Sequence, residues 1–243
     1  LLQAVLFDLD GTLLQMDAEE FVREYLKEIS AATAALVEPE YFARALLAST
    51  NVMIRSRMQK KTNADVFWLD FRRRIGEATD DIKPLLDDFY ANRFKNLSRV
   101  AKANDKAYQA VQKSLDLGLR IVLATNPVFP ESAIRDRMDW AGVGEFPWDL
   151  VTSYENMHYC KPHPEYYLEI ASRLKVRPQN CLMVGNEMEN DIKPAAAVQM
   201  STFFITDRPI NNNPGWFKAD GCGDLDDFIT WLTDVMSKRS RLP

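Results

Sequence analysis

Short apolar runs alternate with helical periodicity over much of this chain. Ala4–Phe7, Leu119–Ala124, Leu150–Val151, Cys181–Val184 and Thr202–Ile205 are rich in Val, Ile, Leu and Phe. Runs of that length, without polar alternation, suit strands covered on both faces, as in a parallel sheet. Between them apolar residues recur at helical spacing: Tyr108, Val111 and Leu115, then Tyr167, Ile170, Ala171 and Leu174, then Leu225, Phe228, Ile229 and Leu232. Strand–helix alternation from about residue 105 onward predicts an α/β sheet with right-handed crossovers.

The stretch from Leu14 to Val100 reads differently, with four amphipathic segments and no convincing strand. Phe21, Val22, Tyr25 and Ile29 mark the first segment; Phe42, Ala45 and Leu46 mark the second, with Pro39 at its start. Thr62 and Asp65 form a capping-box-like start to the third, which carries Phe67, Phe71 and Ile75. Ile82, Leu85, Leu86 and Phe89 mark the fourth. Loops joining a strand to its helix usually run about 2–6 residues. Residues 15–100 are therefore expected to form a helical subdomain, with 1–14 and 101–243 as the α/β core. The insert directly follows the first strand, above the carboxyl ends where α/β sheets bind ligands. It reads as a lid. There is no internal repeat, and "RPINNNPG" (Arg208–Gly215) reads as a surface connection.

Composition narrows the class. The chain has 243 residues, 47% hydrophobic and 27% charged, as in an ordinary globular protein. A net charge of −5 and no dense basic stretch argue against a nucleic-acid partner. Three scattered cysteines, with no C-x-x-C pair, indicate neither a zinc knuckle nor a disulfide framework. No apolar run approaches a membrane span, and no charged-then-apolar leader precedes the first strand. The expectation is a cytoplasmic protein without a membrane partner.

The first strand runs into "DLDGTL", placing Asp8 and Asp10 one residue apart. If strand geometry persists, both acids point the same way. Neighbouring anions then need a cation or a shared proton between them. Asp-Gly between apolar runs is also a hairpin signal, so Ala4–Leu9 and Thr12–Met16 have a second reading as paired strands. That reading leaves Asp8 unexplained. Magnesium resolves the repulsion, because it takes oxygen ligands and leaves room for water and phosphate oxygens. Three later segments bear on this. "IVLATNP" ends a strand at Thr125, whose hydroxyl, with the backbone N–H groups from Asn126 onward, suits a phosphate oxygen. "YCKPHPEYY" puts Lys161 just before a helix, and "LMVGNEMENDI" carries Gly185, Asn186, Glu187 and Asp191 after a strand. Taken singly, each has an ordinary reading: a strand end, a solvated lysine, a helix cap. The two histidines, His158 and His163, flank Lys161 without a standard ligand spacing and read as ordinary polar residues. "DLDD" at Asp224–Asp227 reads as a helix cap.

In this order the four segments resemble the haloacid dehalogenase superfamily, whose phosphatases carry D-x-D-G-T, a strand-end Thr or Ser, a Lys and a final acidic loop. The resemblance implies a Rossmann-like parallel sheet flanked by helices, with an inserted all-helical cap. It implies a magnesium-dependent phosphatase acting on a small phosphorylated metabolite. Asp8 would be the nucleophile and form an aspartyl-phosphate. Asp10 would protonate the leaving oxygen and later activate water. Thr125, Asn126, Lys161 and Gly11 would surround the phosphate. Magnesium would be held by Asp8, Asp10, Asn186 and Asp191, with Glu187 third in line for the final loop. The family usually has Asp where Asn186 stands, and a neutral amide holds magnesium less strongly. Three rivals share this frame. A metal-free dehalogenase of the same fold lacks the second acid of the motif, so Asp10 argues against it. A phosphomutase would keep all four motifs, and Asn186 keeps open a catalytically weak ligand-binding relative. Cationic Arg55, Arg57 and Lys60 in the insert are specificity candidates by charge alone. Oligomeric state is not legible.

Overall fold

The computed structural model describes residues 1–206 and 218–239. Strand β1 (Ala4–Phe7) leads through a tight turn into β2 (Leu14–Met16). Four helices follow: α1 (Ala18–Thr33), α2 (Pro39–Arg55), α3 (Asn63–Ile75) and α4 (Thr79–Asp88). Irregular helical turns then carry the chain to β3 (Ala101–Ala103). From there come α5 (Ala107–Asp116), β4 (Arg120–Leu123), α6 (Glu131–Trp140), β5 (Leu150–Val151) and α7 (Pro164–Leu174). The chain continues through β6 (Cys181–Gly185), the short α8 (Lys193–Ala197), β7 (Ser201–Ile205), β8 (Gly221–Gly223) and α9 (Leu225–Arg239).

Six strands form one parallel sheet in the order β5-β4-β1-β6-β7-β8. β1 is central, and the crossovers leave it in opposite directions toward β4 and β6. Such a switch point opens a crevice at the carboxyl ends. The period-2 alternation of β1 shows why its apolar run has no polar face. Val5 and Phe7 pack with α5, α6 and α9, while Ala4 and Leu6 pack with α7 and Ala195 of α8. No helix among the described residues is long and apolar enough to cross a membrane.

Several sequence expectations change here. The hairpin reading of Asp-Gly fails: β1 pairs with β4 and β6, and β2 pairs antiparallel with β3, residues 14–16 against 101–103. The N–H groups of Thr12, Leu13 and Leu14 all donate to the Leu9 carbonyl, which closes the turn instead. The stretch read as strand-free is thus bounded by a two-stranded ribbon. Three-residue strands are too short to show a period. β8, with two glycines in its three residues, was equally unreadable. Tyr108 is 56% exposed over Phe146, and the buried face of α5 is Ala107, Ala110, Val111 and Ser114. Val22 is likewise exposed, while Phe21, Tyr25 and Ile29 are buried. Arg208–Gly215 and Trp216 lie outside the described residues.

The insert's aromatic core is continuous with the sheet domain's first crossover. Phe21, Tyr25 and Phe94 pack against Phe129, and Phe94 stacks on Trp140 of α6. The Thr62–Asp65 capping box opens α3. Next to it, buried Asn63 donates its side-chain N–H to the carbonyls of Pro127 (3.4 Å) and Tyr159 (3.3 Å). These contacts seat the start of α3 on the loops that carry Thr125 and Lys161.

Candidate active site

The carboxyl end of β1 stops in a cavity of about 80 Å³ lined by Asp8, Asp10, Thr125, Asn126, Lys161, Glu187, Asn190 and Asp191. The sheet itself brings these residues together. Asp8 follows β1 and its N–H still donates to the Val184 carbonyl of β6, while Thr125 follows β4 and Glu187 follows β6. A wider cleft of about 410 Å³ adjoins, lined by Asp10, Gly11, Met16, Asp17, Ala18, Glu19, Asn186 and Glu187. A roomier groove of about 430 Å³ beside α7 and His158 shares none of these residues.

Lys161 is the electrostatic centre of the cavity. It is only 3% exposed, and its Nζ donates to Asp8 Oδ1 at 2.8 Å and to Asp191 Oδ1 at 2.6 Å. Burial works against the ammonium charge, but Asp191 and Asp8 outweigh it and hold Lys161 protonated well above the ordinary lysine range. Burial pushes the Asp191 carboxyl up to about 7 against the opposing pull of Lys161. Asp191 Oδ2 accepts from the Glu187 N–H at 3.0 Å, so both its oxygens are engaged by the protein. Asn126 Oδ1 accepts from the Lys161 N–H at 3.2 Å and ties the two loops together. The Thr125 carbonyl is anchored from behind by the hydroxyls of Tyr166 and Thr152, both at 2.8 Å.

Asp10 lines the same cavity but is held by a different partner. Its Oδ2 accepts from Arg137 Nη1 of α6 at 2.5 Å, while its Oδ1 is buried without a hydrogen-bond partner. Burial raises the Asp10 carboxyl above its usual range; Arg137 opposes the rise and Asp8 adds to it. Sequence reasoning missed Arg137. The available signal was a basic residue on the apolar face of α6, beside Ala133, Ile134 and Met138, all of them buried.

Asn186 is fully buried against Gly11. Gly11 has φ +84°, and a Cβ there would stand 2.2 Å from Asn186 Nδ2. This close approach, together with the left-handed backbone, requires glycine. The Thr12 hydroxyl lies 3.3 Å from both Asp8 Oδ2 and Asn186 Oδ1, so these two oxygens converge. Asp10 and Asn186 line the same adjoining cleft, and a corner of converging oxygen acceptors suits a hard divalent cation. Among the described residues no cluster of three or more His, Cys, Asp or Glu side chains forms a cation cage. For a cation in that corner, Asn186 would offer a neutral amide oxygen where a carboxylate would bind more strongly.

The remaining candidates fall outside the cavity. Arg57 pairs with Glu165 of α7 at 3.2 Å, and His163 Nε2 bonds the Ile54 carbonyl at 2.9 Å. His158 Nδ1 pairs with Glu169 at 2.8 Å. Asp224 Oδ1 accepts from the Asp227 N–H at 2.9 Å, as a helix cap does. Arg55 and Lys60 do not line the cavity either.

Known proteins share part of this sequence and its fold. Hexitol phosphatase B of Escherichia coli (strain K12) is 32% identical over 73 residues, a match covering 30% of this chain and 32% of that protein. The chain thus spans about a third of that relative. YhcW of Bacillus subtilis (strain 168), a phosphatase by name, is 22% identical over 196 residues, covering 79% of this chain and 78% of that one. A crystal structure of a HAD phosphatase from Thermococcus onnurineus superposes with a TM-score of 0.59 at 20% identity, over 95% of this chain and 98% of that one. The haloacid dehalogenase-like hydrolase family matches residues 2–199, and the chain belongs to that family.

Proposed function

We propose that the chain is a magnesium-dependent phosphatase that hydrolyses a small phosphate monoester through an aspartyl-phosphate on Asp8. The observation that carries this reading is the meeting of Asp8, Lys161 and Thr125 in one small cavity, with a second acid, Asp10, on its wall. Lys161 holds Asp8 Oδ1 and fixes the orientation of the carboxylate for in-line attack on phosphorus. The bond from phosphorus to the ester oxygen breaks as the bond to Asp8 forms, and Asp10 gives its proton to the departing oxygen. Asp10 then takes a proton from the water that attacks the acyl-phosphate, which frees phosphate and restores Asp8. Lys161 and the Thr125 hydroxyl stabilise charge on the transferring oxygens. Asp191 supports this indirectly, since its two oxygens fix Lys161 and the Glu187 loop.

The residues that would hold magnesium are Asp8, the Asp10 backbone carbonyl and Asn186. Bound there, the ion would offset the repulsion between the anionic substrate and the acids. The presence of Asp10 favours phosphorus over carbon as the electrophile. The small cavity and the helices beside it favour a small substrate.

Hydrolysis of p-nitrophenyl phosphate by the purified chain, with and without magnesium, tests the reading. Magnesium-dependent turnover that Asp8→Asn abolishes is the expected result. No turnover with any of several divalent metals would favour a ligand-binding relative. Chloride release from a 2-haloacid without metal would favour a dehalogenase.

A further inference from the structure

Arg137 is charged, 2% exposed and far from an ordinary surface role. Its guanidinium lies 4.6 Å from the centroid of Phe129, on the loop after Thr125, and 6.0 Å from that of Phe21 on α1. Its Nε reaches the Ala133 carbonyl at 3.4 Å, one turn back on its own helix. Among the described residues its one acidic partner is Asp10, at 2.5 Å, and Nη2 is buried with no hydrogen-bond partner there. A buried guanidinium with a single ionic contact and an idle donor is a poor stabilising device, because desolvation of the charge is only partly offset. Its geometry suits a different task. It grips Oδ2 of Asp10, a residue that lines the cavity, and the other oxygen, Oδ1, is buried with no partner to hold it.

We propose that Arg137 is a positioning residue that fixes the Asp10 carboxyl at the cavity wall for proton transfer to the ester oxygen of the bound substrate. This rests on the phosphatase reading above. The aromatic rings of Phe129 and Phe21 hold the guanidinium plane and exclude water that would otherwise compete for Asp10. Arg137 thereby joins three elements: α6, the Thr125 loop and the first helix of the insert. Arg137 acts through Asp10 and has no contact with the reacting phosphorus.

Substrate chemistry separates positioning from mere structural support. Proton donation by Asp10 matters most for poor leaving groups and least for good ones. Arg137→Met and Arg137→Lys are assayed with magnesium on phenyl, p-nitrophenyl and 2,4-dinitrophenyl phosphate, which share an aryl phosphate core and differ in the acidity of the leaving phenol. We expect Arg137→Met to lose at least tenfold more kcat/KM on phenyl phosphate than on 2,4-dinitrophenyl phosphate, with partial rescue in Arg137→Lys. In an Asp10→Asn background the same substitutions should change kcat/KM less than threefold, because the group they act through is gone. Equal losses across the three esters, or full additivity with Asp10→Asn, would overturn the proposal and leave the phosphatase reading standing. Failure of the wild type to hydrolyse any of the three would remove both. If Arg137→Met does not fold, Arg137→Lys alone decides by the same leaving-group comparison. A crystal structure of Arg137→Lys with Asp10 unmoved, and no leaving-group dependence, would also refute it.

Discussion

Asp8 and Asp10 are separated by one residue, yet opposite layers of the molecule serve them. Asp8 faces the α7 side, where Lys161 and Asp191 form a dense polar network over the sheet edge. Asp10 faces the α6 side, where Arg137 is wedged among the aromatic rings that join the insert to the core. The first environment offers charge and hydrogen bonds around a fixed carboxylate. The second offers one ionic contact in an apolar wall and raises the carboxyl above its usual range through burial. Two identical side chains on one cavity thus acquire different chemistry from the partners around them.

Breaking the Asp8 side should have the largest effect. Asp8→Asn should lower kcat by about 10⁴-fold or more, as loss of a nucleophile does, while circular dichroism stays native. Lys161→Ala should follow, leaving Asp8 and Asp191 buried without their shared cation. Urea denaturation should show a loss of about 3–5 kcal/mol, and the rate should fall by about 10²–10³-fold. Asp191→Asn keeps the shape and one acceptor, so a fall of about 10–100-fold is expected, the range for a group that orients another at a metal site. An unchanged rate would dissociate Asp191 from the function of Lys161. The smallest effect is expected at the shared corner. Asn186→Asp should tighten magnesium binding about tenfold by calorimetry, because a carboxylate replaces a neutral oxygen ligand. Unchanged affinity would put the ion away from Asn186.

The sheet was legible because its strands are continuous apolar runs, and the insert because its helices repeat apolar residues at 3.6 spacing. Of the site, the sequence marked Asp8, Asp10, Thr125, Lys161 and Asp191, since acids, a lysine and a threonine at strand ends interrupt apolar patterns. The structure brings all five to one cavity. Arg137 escaped because a basic residue on a helix is normally solvated, and only burial among aromatic rings reveals it. The grip of Asp191 on Lys161 escaped because spacing along a chain does not say which way a carboxylate faces. β2 and β3 escaped because their strand identity comes from pairing with each other, across a separation that no local window spans.

That ribbon has a further meaning. The chain departs for the helices through Leu14–Met16 and returns through Ala101–Ala103, two segments hydrogen-bonded side by side. In polymer terms everything from Ala18 to Val100 is one closed loop whose ends are already stapled. Doubling the length of such a loop costs only about 0.6 kcal/mol in closure entropy. A different helical segment can therefore be spliced between the same two strands if it keeps a face that docks on Phe129 and Trp140. On the phosphatase reading proposed above, exchanging that segment would change what reaches the cavity, with the sheet and its acids left untouched.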